Sequence, residues 1–259
     1  MSYALITGTA KGIGAAIAYQ MARKGYDLLL IDIDGEGLEK TKARINEKST
    51  TAVHTLQLDL SSPDCADTIF EWSSRFHNEL DVVINNAGYG LNGAFEKLSI
   101  GEHENIIDVN IKAQLKIAHA FIPVLRRFNK SYLLNVGSTT CFQSVPYMSI
   151  YAASKAFVIS FTRSLRYELK DSPVSVSCLI PGSTDTDFVN RARMNEHAKK
   201  TATRYYMTPE TVAKIAIAGM FAGKAEIIPG ISNKLHSVLP KFFPKSFVEK
   251  IAGNIYRPR

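Results

Sequence analysis

The chain has 259 residues, 46% of them apolar and 21% charged, proportions of an ordinary globular protein that exclude a disordered or collagen-like chain. Thirty-one Lys and Arg against 24 Asp and Glu leave a net charge of +7; with no helix-turn-helix signature, zinc finger or aromatic-interleaved basic stripe, this excess does not indicate nucleic acid. Cys65, Cys141 and Cys178 lie far apart without metal-ligand spacing, so no metal or disulfide framework is expected and a reducing cytoplasm fits them best.

An apolar run starts almost at the N-terminus, leaving no room for a secretion signal, and no uncharged run reaches membrane-spanning length, so a soluble or peripheral protein is expected. Strand-like runs follow at Ala4 to Thr7, Leu28 to Ile33, Ala52 to Leu58, Val82 to Asn85, Tyr132 to Val136, Val174 to Leu179 and Ile227 to Ile228, with helical patterns between them. This alternation predicts a Rossmann-type α/β fold: a doubly wound parallel sheet of about seven strands with helices on both faces. Solid runs such as Leu28-Leu29-Leu30-Ile31 fit strands covered on both sides. No linker interrupts the pattern, so residues 1–229 are expected to form one catalytic domain. Within it, the polar, basic and strandless stretch 183–207 suits a mobile lid.

Residues 230–259 form a basic, apolar extension, with Lys234, Lys241, Lys245, Lys250, Arg257 and Arg259 against the single acid Glu249. Three readings stay open for it: packing on the body as an extension of the lid, weak contact with an anionic membrane surface, or an oligomer contact. Packing on the body is preferred. Phe242, Phe243, Phe247, Ile251 and Ile255 can share one apolar face, interrupted by Pro240 and Pro244, and such faces usually meet protein.

The first chemical signal is Thr7-Gly8-Thr9-Ala10-Lys11-Gly12-Ile13-Gly14, directly after the first strand and opening a helix. Glycines there let backbone approach a pyrophosphate, and the N–H groups and dipole of the helix N-terminus favour its charge. Asp32 ends the second strand, where its carboxylate can accept hydrogen bonds from an adenosine ribose.

The second signal is Tyr151 and Lys155, four residues apart on a helix running to about Leu169, hence on one face. A phenol titrating near 10 needs about 4 kcal/mol of phenolate stabilisation to shuttle protons near pH 7; the Lys155 ammonium would supply part of it and an oxidised nicotinamide ring more. Ser138, just past the fifth strand at the carboxyl edge of the sheet, can hydrogen-bond a substrate oxygen. Asn110, in the helical stretch Asp108 to Ala120, can hold a water linking Lys155 to solvent.

With these residues assembled, the chain resembles a single-domain short-chain dehydrogenase/reductase from about Tyr3 to Ile228. Gly8, Gly12 and Gly14 match the family's glycine motif, Asn85-Asn86-Ala87-Gly88 its Asn-Asn-Ala-Gly, and Asn110, Ser138, Tyr151 and Lys155 its catalytic set. Pro181-Gly182 matches as well. The resemblance implies that Asp59 and Leu60 flank the adenine and that Asn86, Ala87 and Gly88 support the adenosine end and the central sheet. It also implies that Thr9, Ile13 and Thr184 touch the cofactor, that Thr186 contacts the nicotinamide carboxamide, and that the protein is a homodimer or homotetramer.

The cofactor expected is NAD, because Asp32 would repel a 2′-phosphate; Lys11, which could reach that phosphate, keeps NADP as the alternative. An apolar substrate, such as a steroid or a keto or hydroxy acyl chain, is expected against Cys141, Phe142, Val145, Pro146, Tyr147, Met148 and Phe188. The expected activity is NAD(P)-dependent hydride transfer to or from a carbonyl or secondary alcohol, against the alternative of a dinucleotide-binding sensor without turnover. A hydrolase is excluded by the lack of a G-x-S-x-G elbow.

Overall fold

A computed structural model describes residues 2–203 and 206–258. Seven strands, β1 (Tyr3–Thr7), β2 (Asp27–Asp32), β3 (Val53–Gln57), β4 (Leu80–Asn85), β5 (Ser131–Val136), β6 (Val174–Leu179) and β7 (Glu226–Ile227), lie in the order β3-β2-β1-β4-β5-β6-β7. Every neighbouring pair is parallel. Each connection must therefore cross a face, and the order reverses between β1 and β4, which opens a crevice at their carboxyl ends.

Alternation along β1 shows why both faces need cover. Ala4 and Ile6 enter one apolar layer with α1 (Gly12–Ala22), α2 (Gly35–Asn46) and a later helix, Pro209–Phe221. Tyr3 and Leu5 enter the other, with α3 (Cys65–Ser73) and the helices after β4 and before β6. The strands expected from the solid apolar runs stand within about two residues of their places, at the precision with which strand ends can be defined.

Between β4 and β5 the expected helical stretch is longer than Asp108 to Ala120. It starts at α4 (Ile100–Ile107), capped by a reciprocal Ser99 and Glu102 box, passes through a wider π-helical turn at Asp108–Ala113, and continues as α5 (Gln114–Leu125). Next comes α6 (Ser149–Glu168), ending one residue before the expected Leu169.

The lid stretch carries two short helices, α7 (Phe188–Arg191) and α8 (Glu196–Thr203). It is not wholly strandless: Thr184 bridges Met207, with Asp185 N–H donating to the Met207 carbonyl at 2.9 Å and Met207 N–H to the Ser183 carbonyl at 3.1 Å. After α9 (Pro209–Phe221) and β7, the extension folds as α10 (Ile231–Val238), a 3₁₀ turn (Leu239–Phe242) and α11 (Lys245–Tyr256).

The single apolar face expected of the extension is divided in two. Ile255 and Tyr256 turn inward against Val145, Met148 and Tyr151, and Ala252 is buried, whereas Phe242, Phe243, Phe247 and Ile251 face outward. Only the inward set packs on the body as expected.

Candidate active site

The crevice at the carboxyl edge is a cleft of about 390 Å³ running from the glycine turn to the lid. At one end, Gly8 and Gly12 adopt φ of +72° and +64°, which a side chain would strain. Gly14 is required by packing within the fold: a Cβ there would lie 1.9 Å from the Gly8 carbonyl oxygen and 2.5 Å from Asn86 Nδ2. Backbone conformation and packing therefore require these glycines whatever the turn binds.

Asn86 clamps the turn to the end of β4. Its Nδ2 donates to the carbonyls of Thr7 and Gly8, 2.9 Å each, while the N–H groups of Asn86 and Ala87 donate to Thr7 Oγ1 at 3.0 Å. Helices α2, α4 and α9 have side-chain caps, but α1 has none and carries no acid in its first turn. Its leading N–H groups are therefore open to an anion at the cleft. Asp32 Oδ2 accepts from Ala10 N–H at 2.9 Å and Oδ1 from Asp34 N–H at 3.1 Å, which leaves further lone pairs on the carboxylate for ribose hydroxyls.

Lys11 reaches the lid. Its ammonium pairs with Asp187 at 2.9 Å, a contact spanning 176 residues of chain, and that pairing holds the Asp187 carboxyl below its usual range. Asp59 accepts from the N–H and hydroxyl of Ser61, beside buried Leu60; both line the cleft, as do Ile13, Ala87, Gly88, Pro181, Gly182, Thr184 and Thr186.

Two expected site residues stand behind the lining. Thr9 is buried, its Oγ1 directed at the Ile31 carbonyl and its own carbonyl accepting from Thr41 Oγ1 at 3.0 Å, so its side chain braces the turn. Asn110 is buried in the π-helical turn and spends both amide hydrogens internally, on the Tyr89 carbonyl and on Ser154 Oγ, each at 2.9 Å. Its Oδ1 accepts from Tyr89 N–H at 3.0 Å, and Ser154 Oγ donates to the Tyr151 carbonyl at 2.7 Å. The Asn110 side chain thus ties the loop after β4 to α6.

Tyr151, Lys155 and Ser138 converge at the middle of the cleft. Burial pushes the Tyr151 phenol up to about 12, against the hydroxyls of Ser138 and Thr140, which lower it, and the nearby phenol of Tyr256 adds to the rise. Burial pulls the Lys155 ammonium down to about 8. In the protein alone burial sets the direction for both groups, and the hydroxyls of Ser138 and Thr140 are what oppose it at Tyr151. Lys155 Nζ donates to the Val136 carbonyl at 2.9 Å and lies 5.9 Å from the centre of the Tyr151 ring.

Missing side chains keep this space open. A Cβ on Gly88 would stand 3.0 Å from Lys155 Nζ, and one on Gly90 would stand 2.7 Å from the Tyr151 ring. The uncapped helix, the Asp32 carboxylate and a buried ammonium with a single acceptor among the described residues together suit a dinucleotide: phosphates at the turn, ribose hydroxyls at Asp32 and Lys155.

On the substrate side, Met148 and Phe188 alone of the seven expected contacts line the cleft. Cys141 and Phe142 pack beneath it on Val158, Cys178 and Ile180. Val145 is core, Pro146 lies against Gly253, and the carbonyl of Tyr147, at a φ of +66°, accepts from Gly93 N–H at 2.9 Å and Asn92 Nδ2 at 3.2 Å. Val189 and Met194 of segment 183–207 and Tyr256 of α11 complete the apolar wall with Met148 and Phe188, whose ring centre lies 5.3 Å from that of Tyr151. Thr140 and Tyr206 also line it, the Thr140 hydroxyl beside that of Tyr151 and the Tyr206 hydroxyl buried without a partner among the described residues.

Asn92 is the organiser that the sequence reading missed. Its N–H donates to the Ala192 carbonyl at 2.7 Å, and Nδ2 donates to the carbonyls of Tyr147 and Tyr256 at 3.2 and 2.7 Å. One buried residue thus joins the lid, the segment before α6 and the end of α11. No local pattern marks it, since its Tyr256 partner is 164 residues away.

A doubly wound sheet with a phosphate cradle and a Ser-Tyr-Lys cluster at its switch point defines a nicotinamide-dinucleotide oxidoreductase. The chain belongs to the short chain dehydrogenase family, which it matches over residues 2–197, and so is an NAD(P)-binding oxidoreductase of that family. Among relatives, SadH of Mycobacterium tuberculosis (strain ATCC 25618 / H37Rv), described as an oxidoreductase, is 29% identical over 97% of this chain and 94% of its own length. Among solved structures, a short-chain dehydrogenase from Sphingobium yanoikuyae in complex with NADPH is 29% identical, covering 100% of this chain and 97% of the other at a TM-score of 0.82. One from Burkholderia phymatum in complex with NAD shares the fold, with a TM-score of 0.85, 23% identity and 93% coverage of each chain.

Proposed function

We propose that this protein transfers a hydride between NAD and the carbonyl or secondary alcohol carbon of an apolar substrate, with Tyr151 as the proton-transferring group. The observation that carries the reading is the convergence of Ser138, Tyr151 and Lys155 in one cleft beside the glycine turn.

The dinucleotide, held by Gly8 to Gly14, Asp32 and Lys155, supplies the hydride donor or acceptor. Ser138 and Tyr151 hydroxyls orient the substrate oxygen between them. In the reducing direction the Tyr151 phenol gives its proton to the developing alkoxide, and its raised pKa keeps it protonated at neutral pH. Lys155, still mostly protonated at pH 7, stands one helical turn away to return charge and proton. The Thr140 hydroxyl, beside that of Tyr151, is a second donor to the same oxygen.

NAD is preferred because Asp32 opposes a 2′-phosphate, while Lys11, the group that could attract one, is engaged by Asp187. Substrate selection falls to Phe188, Val189, Met194 and Tyr256, which favour a bulky apolar ketone or alcohol. The working form is a homodimer or homotetramer in a reducing cytoplasm. Steady-state assays with NADH and NADPH against a panel of bulky apolar ketones and of small polyols test this reading. NADH-dependent turnover confined to the apolar panel is expected; turnover confined to polyols would remove the substrate assignment, and a preference for NADPH would remove the cofactor assignment.

A further inference from the structure

The outward side of the extension carries a concentration of exposed apolar side chains. Ile231, Leu235, Leu239 and Phe242 recur at spacings of four, four and three along α10 and its 3₁₀ turn. Phe243, Phe247 and Ile251 follow along α11, with the Phe243 and Phe247 rings 5.8 Å apart. Ile231 is 79% and Phe242 78% exposed. Of the fourteen exposed large apolar side chains among the described residues, eight fall in residues 231–251, and the other six are scattered from Ile33 to Tyr167. Single exposed apolar residues need no explanation, but eight within twenty-one residues mark a surface that is covered in use.

Charge decides what covers it. Residues 230–259 carry six Lys and Arg against Glu249 alone, and none of Lys234, Lys245 and Lys250 has an ion-pair partner among the described residues. A second copy meeting this face across a two-fold axis would set lysine against lysine. An anionic lipid surface satisfies both features, apolar side chains entering the acyl boundary and ammonium groups meeting phosphates. No helix among the described residues is long and apolar enough to cross a membrane, so the contact would lie in the plane of the surface.

We propose that α10, the 3₁₀ turn and α11 dock on an anionic bilayer through Phe242, Phe243 and Phe247, flanked by Lys234, Lys245 and Lys250. The inner side of α11 ends in Tyr256 at the cleft, so docking sets the substrate entrance beside the phase into which an apolar substrate partitions. The contact itself stands independently of the dehydrogenase reading.

Flotation of the full chain with vesicles of phosphatidylcholine alone, and with about a third phosphatidylglycerol, tests it. The full chain should float with the anionic vesicles and be released several-fold as salt is raised. Two double variants, Phe242→Ser with Phe247→Ser and Lys245→Glu with Lys250→Glu, should each lower the bound fraction about tenfold while melting and cofactor binding stay unchanged, since these side chains are exposed. Failure to float with either vesicle, or flotation that survives both double variants, overturns the proposal. So does a wild-type oligomer that ignores vesicles and dissociates in the phenylalanine variant, which would make a second copy the covering partner.

Discussion

Tyr151 and Lys155 respond to the same burial in opposite directions, one phenol raised to about 12 and one ammonium lowered to about 8. For Lys155 the unfolded chain binds the proton more tightly, so between about pH 8 and 10 the folded state gains up to about 1.4 kcal/mol per pH unit as the buried charge is relieved. Lys155→Met, which buries no charge, should lose that gain, and urea titrations of both proteins at pH 7.5 and about 9.5 check it. For Tyr151 the folded state holds the proton more tightly, so its stabilisation is complete below about pH 10 and is lost between about 10 and 12. In catalysis the same shifts predict that carbonyl reduction falls above about pH 8 as Lys155 deprotonates, while alcohol oxidation rises with pH as phenolate forms. Initial rates in both directions across that range decide it. Asp32→Ala should raise the NADPH to NADH ratio of kcat/KM at least about tenfold by removing the repelling charge. The pairing of Tyr151 with Lys155 was legible because four residues make one helical turn. The direction of the phenol's shift was not, because it depends on how much water the distant lid and Tyr256 exclude.

At the scale of elements, most side chains that hold the site touch segments far away in the chain. Asn92 joins the lid, the segment before α6 and the end of α11 through Ala192, Tyr147 and Tyr256. Asn92→Ala should raise KM for the ketone more than it lowers kcat, leave cofactor affinity unchanged, and cost about 1–3 kcal/mol from the carbonyls left unpaired. Fluorescence titration with NADH beside steady-state kinetics separates these effects. Gly14→Ala should act at the other end, driving a methyl group into the Gly8 carbonyl and Asn86, and should weaken NADH binding more than ketone binding. The glycine positions were readable from their place between strand and helix. The inward turn of Thr9, the π-helical turn that buries Asn110, and the packing of Cys141 and Phe142 beneath the cleft depend on tertiary neighbours that no spacing reveals.

For the whole molecule, alternating strand and helix patterns were enough to specify a parallel sheet, because a parallel connection must cross a face and bury both sides. The extension was less legible. Its spacing allowed one apolar face, yet the chain divides that face, with Ile255 packed inward beside Tyr256 and Phe242, Phe243, Phe247 and Ile251 toward solvent. Asn195 of segment 183–207 donates to the carbonyls of Ile255 and Arg257 and so fixes the inward end of α11. Direct hydride transfer in the cleft between the glycine turn and Tyr151 is the central proposal. Its most direct test is a turnover experiment with NADH carrying deuterium at the transferable nicotinamide position and a bulky apolar ketone, run with wild type and Tyr151→Phe. The account predicts deuterium on the carbinol carbon of the product, formed about a hundredfold or more slowly by the variant. Tight cofactor binding with no label reaching any ketone of the panel, or equal transfer by Tyr151→Phe, would contradict it.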